Sequence, residues 1–177
     1  MLFNLVNFGK TILIIAILGT LVSCFKEPNF SMTPNIKYKD FSKDLILDEF
    51  TGGTKDTIVV NIEFQDGDGD LGLGEDDKAD AVANNNFNYI VKAYRKKNGS
   101  FTAYEPLEPI SGFFPKLADD TKPGPIEGTL SYGMDFYHAF TPKFDTLKFE
   151  IQIKDRAGNL SNTVETDDIV LNAIESN

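Results

Sequence analysis

Three aspartates stand at every second position in residues 66–70, where the sequence runs DGDGD directly after an alternating apolar segment. The residues between them carry no side chain, so the carboxylates crowd into one short turn. Two carboxylates about 6 Å apart repel each other by roughly 0.7 kcal/mol in water and by about 3 kcal/mol at an effective dielectric constant of 20. Hard divalent cations bind such oxygen ligands, and this many carboxylates favours calcium. The sequence therefore predicts a calcium site at Asp66, Asp68 and Asp70.

Further acidic residues are available to complete the coordination of such an ion. Glu75, Asp76 and Asp77 follow within a few positions, and we predict that Asp76 and Asp77 are ligands. The spacing does not fit an EF-hand, because position 6 would be Leu71 instead of glycine and position 12 would be Asp77 instead of glutamate. Magnesium is the alternative ion. The alternative without an ion is a solvated turn whose aspartates accept hydrogen bonds from nearby amides.

The elements that must position these residues are strands, because apolar and polar residues alternate through most of the chain. The clearest alternation lies in residues 57–64 and 147–154. Further strands are predicted at 36–41, 45–47, 87–93, 101–104, 130–136, 160–164 and 169–171. No segment has the pattern of a helix. The sequence therefore predicts an all-β fold, an antiparallel sandwich formed by residues 35–177.

The turn at residues 155–159, with the sequence DRAGN, resembles the last turn of bacterial immunoglobulin-like domains. This resemblance implies that segment 57–64 is the second strand and segment 147–154 the sixth, so both strands point the same way. The loops that follow them would then share one end of the domain. We therefore expect Asp155 to approach the acidic turn and to be a further metal ligand.

The first 23 residues have one lysine followed by a short apolar run, which is the layout of a signal peptide. The segment 21–24, with the sequence LVSC, resembles the bacterial lipobox. The resemblance implies that Cys24 is lipid-modified, and several acyl chains at about 0.8 kcal/mol per buried CH₂ make such an anchor permanent. Phe25 in the following position favours the outer membrane, and residues 24–34 form the lipidated tether. The alternative is an N-terminal membrane helix with an incidental cysteine.

Charge and composition argue against several other functions. The net charge of −10 opposes nucleic-acid binding, because phosphate contacts need a basic surface. Cys24 is the only cysteine and His138 the only histidine, so a zinc site lacks its usual ligands. No Gly-x-Ser-x-Gly segment and no partner for a histidine-based triad is present. We therefore expect no enzymatic activity.

Two adjacent aromatic residues are the best candidates for contact with a partner. Phe113 and Phe114 lie in a proline-rich loop, where two neighbouring side chains do not both point inward easily. The acidic turn and the layout of the chain from Cys24 also resemble small lipoproteins of the Bacteroidota, a group that implies no particular activity. We expect a calcium-stabilised structural or interaction module of the cell envelope. The alternative is a glycan- or nutrient-binding surface lipoprotein, similar to accessory subunits of polysaccharide-uptake systems.

Overall fold

A computed structural model describes residues 28–49, 52–119 and 121–173. The predicted signal peptide and Cys24 lie outside the described residues. Within the described residues, no helix has the length and apolar character needed to cross a membrane.

Strands make up about half of the described chain, and one short helix follows the second strand. In chain order the elements are β1 (Asn35–Leu47), β2 (Thr54–Asp66), α1 (Glu75–Ala83), β3 (Tyr89–Lys97), β4 (Ser100–Tyr104), β5 (Ile126–Tyr137), β6 (Asp145–Ile153), β7 (Val164–Glu165) and β8 (Ile169–Leu171).

The strands form two antiparallel sheets that pack against each other. One sheet has the order β1-β2-β5. The other has the order β4-β3-β6, and both β7 and β8 pair with the far side of β6. The central strands β2 and β6 therefore lie in different sheets and face each other across the core. The predicted all-β sandwich is confirmed.

The core lies between the sheets and takes every second side chain of the central strands. Burial of such an apolar side chain stabilises the fold by about 1.5–3 kcal/mol. Tyr89 of β3 stacks on Tyr132 of β5 across the two sheets, with ring centroids 4.0 Å apart. The core residues from β2 and β6 are Ile58, Val60, Ile62, Phe64, Leu147, Phe149, Ile151 and Ile153.

Helix α1 contradicts the expectation that the chain has no helix. Three acidic residues occupy its first turn, where the partial positive charge of the helix N-terminus stabilises them. Alanine, the strongest helix former, stands at positions 79, 81 and 83. The two leading segments also differ from the prediction, since 36–41 and 45–47 belong to the single strand β1, which has a bulge between Tyr38 and Asp40.

The topology brings the ends of β2 and β6 together. Leu71, just beyond β2, forms an antiparallel bridge with Asp155, just beyond β6. The loop of residues 66–72, here called the acidic loop, therefore meets the turn of residues 155–159 at one end of the sandwich. This meeting of the two loops agrees with the expectation drawn from the immunoglobulin-like order.

Candidate metal centre

Asp66 is carried into the protein by the alternation of β2. Every second residue of this strand from Ile58 onward is buried, and Asp66 continues the series as the last strand residue, with no exposed surface. Its Oδ2 atom accepts hydrogen bonds from the backbone N–H groups of Gly69 at 3.0 Å and Asp70 at 3.1 Å. Its Oδ1 atom is also buried and has no hydrogen-bond partner among the described residues. One oxygen of a fully buried carboxylate is thus left without a donor.

The chain reverses tightly after Asp66, and glycine is needed for this path. Gly69 has a φ of +74°, and a Cβ atom there would lie 2.6 Å from the carbonyl oxygen of Gly124. A Cβ atom at Gly67 would lie 2.6 Å from the carbonyl oxygen of Phe30. These close approaches explain why residues without side chains separate the aspartates.

The three aspartates of the acidic loop form one cluster. Asp66, Asp68 and Asp70 each offer a carboxylate oxygen, and these atoms all lie within 4.8 Å of one another. In each residue Oδ1 is buried and has no hydrogen-bond partner within the described part of the chain. At 4.8 Å each pair of charges repels by about 0.9 kcal/mol in water and about 3.5 kcal/mol at an effective dielectric constant of 20. The arrangement is unfavourable for three ionised groups unless a cation lies between them.

The same crowding disturbs the acid–base behaviour of the loop. Burial, followed by the charges of Asp68 and Asp70, raises the pKa of Asp66 to about 6, although two backbone N–H groups oppose this rise. Burial also raises the pKa of Asp70, with further contributions from the charges of Asp155 and Asp68. A bound cation would favour the ionised forms, so metal and protons compete for these oxygens.

The turn after β6 holds the acidic loop in place through hydrogen bonds to Asp70 and Gly72. The backbone N–H of Ala157 donates to Asp70 Oδ2 at 3.1 Å, and the backbone N–H of Arg156 donates to the Asp70 carbonyl at 3.3 Å. The guanidinium of Arg156 donates to the carbonyl oxygen of Gly72 at 3.0 Å. The position of the third aspartate therefore depends on a segment that is distant in sequence.

Two further segments contact the loop through their backbones. The N–H of Gly67 donates to the carbonyl of Ser31 at 2.8 Å, and the N–H of Gly124 donates to the carbonyl of Asp68 at 3.3 Å. Residues before β1 and residues before β5 thus meet at the same loop. A change in the shape of the loop would therefore also affect the position of both segments.

The other predicted ligands lie outside the three-residue cluster. Asp76 and Asp77 stand in the first turn of α1. Asp155 is next to the loop, but its Oδ1 and Oδ2 atoms accept hydrogen bonds from the backbone N–H and the side-chain amide of Asn159, at 2.7 and 2.8 Å. Its carboxylate already has donors, which distinguishes it from the unpartnered oxygen of Asp66.

The prediction that Phe113 and Phe114 form a contact surface is wrong for Phe114. This residue is 4% exposed and belongs to the core. The Asn88 side chain accepts from its backbone N–H at 3.0 Å and donates to its carbonyl at 3.1 Å. Gly112 pairs with Tyr89 like a strand residue, so the side chains that follow alternate between the core and the surface. Phe113 is half-buried.

A second polar cluster, which the sequence does not indicate, lies at the opposite end of the sandwich. His138 contacts Thr54 Oγ1 through Nδ1 at 2.9 Å and Asp56 Oδ2 through Nε2 at 3.2 Å. Asp56 Oδ2 also accepts a hydrogen bond from the backbone N–H of Asn172 at 2.6 Å. The cluster links β2 to the segments that follow β5 and β8. It holds these chain segments together.

Comparison with protein-family models, with curated proteins and with solved structures found no match to this chain. The acidic triad of Asp66, Asp68 and Asp70 can bind a metal ion.

Proposed function

We propose that this protein is a calcium-binding β-sandwich module of the cell envelope, anchored through a lipid on Cys24 and without catalytic activity. The observation that carries the metal assignment is the buried, unpartnered oxygen of Asp66, which lies in a cluster with two further carboxylates. Burial of such an atom without a donor is costly, and a cation removes that cost.

Calcium suits a cluster of three carboxylates better than magnesium does. Calcium accepts about six to eight oxygen ligands at about 2.3–2.6 Å in a flexible geometry. Magnesium requires a near-octahedral geometry at about 2.0–2.1 Å, and it usually keeps several waters and binds only one or two carboxylates. The oxygens of Asp66, Asp68 and Asp70 lie within 4.8 Å of one another. Small movements of these side chains would bring all three oxygens onto one calcium ion, and water can supply the remaining ligands.

The role of the ion in this proposal is structural. The acidic loop contacts the turn after β6, the segment before β1 and the segment before β5. Neutralising the three carboxylates would stabilise the loop and, through it, these three segments. The protein then works as a rigid module for contacts at the envelope.

The contact with Ser31 indicates how the module would be presented on the membrane. Cys24 precedes Ser31 by only seven residues, and seven residues span at most about 25 Å. A lipid on Cys24 would therefore keep the metal-binding end of the sandwich near the membrane surface. The opposite end, which contains His138, would point away from it. We assign this anchoring to the outer membrane, as the resemblance to the lipobox and the residue after Cys24 imply.

Isothermal titration of the purified protein with calcium, and separately with magnesium, tests the metal assignment. We expect calcium to bind more tightly than magnesium. The Asp68→Asn variant should give no heat of calcium binding. Asp76→Asn is the matched control, because it removes the same charge outside the cluster and is expected to leave binding unchanged. The assignment is overturned if millimolar calcium gives no binding heat, or if both variants reduce binding equally.

A further inference from the structure

The edges of the two sheets are not equally protected against pairing with another strand. An edge strand presents a row of unpaired N–H and C=O groups, which proteins usually shield with bulges, lysines, proline or covering segments. The three-stranded sheet has β1 and β5 as its edges, and the other sheet ends in β4 on one side and β7 and β8 on the other.

Strand β1 has several of these protections. It has a bulge between Tyr38 and Asp40, and lysines occupy positions 37, 39 and 43. Asn162 covers its beginning, since Asn162 Oδ1 accepts from the backbone N–H of Ile36 at 2.8 Å and Nδ2 donates to the Ile36 carbonyl at 2.9 Å. The edges of the other sheet are short, with five residues in β4, two in β7 and three in β8.

Strand β5 lacks the bulge, the lysines and the prolines that protect an edge. Its twelve residues contain no lysine and no proline, and all twelve pair with β2 in an unbroken register. The backbone N–H of His138 donates to the carbonyl of Thr54 at 3.0 Å, which fixes the alternation: even-numbered residues bond to β2 and odd-numbered residues point outward. Among the described residues, nothing bonds to the outward backbone groups from 127 to 135.

We propose that β5 pairs antiparallel with β5 of a second copy of this chain, which joins the two three-stranded sheets into one continuous sheet. If residue 131 of one copy lay opposite residue 131 of the other, Glu127 of each copy would face Asp135 of the other copy. Like charges that face each other across two strands are destabilising. Pairing centred on residue 132 removes this direct opposition of like charges. Thr129 then faces Asp135 and Ser131 faces Gly133, so a hydroxyl lies opposite a carboxylate and the smallest side chain lies opposite serine.

The charge of this strand is compatible with such a dimer although the whole chain is acidic. The outward backbone positions of β5 include only two acids, Glu127 and Asp135. Asp135 forms an ion pair with Lys55 at 2.6 Å, which reduces its effective charge. Charges elsewhere on the surface are screened over about 8 Å at physiological ionic strength. The dimer is an isologous contact with a two-fold axis near residue 132.

Two measurements on the full chain test this proposal. Native mass spectrometry after release from detergent gives the oligomeric state, and hydrogen exchange reports the protection of the backbone amides of β5. At about 100 μM protein, where association with a micromolar Kd is nearly complete, we expect a dimer in which the odd-numbered amides of β5 are protected. Ser131→Pro should give a monomer and lose that protection, because proline removes an outward N–H without removing a bond to β2. Ser131→Ala is the matched control, since it loses the same hydroxyl contact with Asn61 but keeps the outward N–H, and it is expected to remain a dimer.

A pair of charge variants keeps the test valid if Ser131→Pro does not fold. Thr129→Glu would face Asp135 at two symmetric positions and should weaken the dimer about tenfold or more, whereas Thr129→Lys should not weaken it. A monomeric wild-type protein at this concentration overturns the proposal. A dimer that resists both Thr129→Glu and Ser131→Pro also overturns it, because the copies would then associate through another surface.

Discussion

Replacing Asp68 with asparagine should have opposite effects on stability in the presence and absence of calcium. Asparagine has almost the same shape as aspartate but no charge, and its amide can donate a hydrogen bond to a neighbouring carboxylate. Without metal, the change removes repulsion from the cluster. With calcium, it removes a charged ligand. The variant should therefore be more stable than the wild type in chelator and less stable than the wild type in calcium.

The size of the effect follows from the spacing of the carboxylates. Asp68 takes part in two of the three pairs in the cluster, all within 4.8 Å. Each pair costs about 0.9 kcal/mol at the dielectric constant of water, so the metal-free variant should gain about 2 kcal/mol or more. In calcium, the wild type gains about 2.7 kcal/mol at a concentration 100 times its Kd, and the variant should lose most of this gain.

Thermal unfolding in excess chelator and in calcium measures both effects on the same preparations. A free-energy change of 1 kcal/mol shifts the melting temperature by about 2–4 °C in a domain of this size. We expect Asp68→Asn to melt about 4–8 °C above the wild type in chelator and below it in saturating calcium. Asp76→Asn, outside the cluster, should change the melting temperature by a small and similar amount in both conditions.

Two results would refute this reasoning. A variant that is destabilised equally with and without calcium would show that the Asp68 carboxylate acts only through hydrogen bonds of the loop. The second result is a wild-type melting temperature that does not change with calcium, together with a variant that melts no higher than the wild type in chelator. This result would show that solvent and counter-ions already screen the repulsion between the three carboxylates.

Three further outcomes follow from the structure. The pKa of Asp66 in the folded, metal-free protein is about 6 and lies above its unfolded value, so the folded state binds more protons than the unfolded state between about pH 4 and 6. Thermal melts in chelator should therefore show about 1 kcal/mol more stability at about pH 5 than at about pH 7. Calcium affinity should decrease as the pH falls from about 7 to about 5. Gly69→Ala should lower stability by about 1–3 kcal/mol because of its positive φ and its contact with a carbonyl oxygen, which urea unfolding can measure. Phe114→Ala should cost about 3–5 kcal/mol in the same assay and Phe113→Ala clearly less, and equal losses would contradict the assigned burial.

The sandwich was predictable because strand alternation is a local property of the chain. The pattern in β2 and β6 identifies both central strands and the faces that they bury. Helix α1 was missed although its signals were local as well, with acidic residues at its start and alanines along its length. Those acids were assigned to metal binding instead, since the same carboxylate can bind a cation or stabilise a helix N-terminus.

The burial of Phe114 could not be predicted from its neighbours in sequence. It depends on Asn88, whose side chain bonds to both backbone groups of Phe114 across 26 positions. Proline-rich segments usually lie at the surface, and this general rule favoured exposure. Only the folded chain shows that residue 112 continues the edge of a sheet and that one of the two aromatic side chains points inward.

Three carboxylates share one turn because Asp66, Asp68 and Asp70 are separated by single glycines and cannot move far apart, and this follows from the order of residues alone. The alternation of β2, which carries the first of them into the core, is likewise a property of the local sequence. The distant acids that stay outside the cluster are placed by the packing of the folded chain. Asp155 reaches the loop but binds Asn159, and Asp77 lies in a helix. Short spacing restricts distances directly, whereas the position of a remote side chain depends on how the sheets pack and on which donors it meets there.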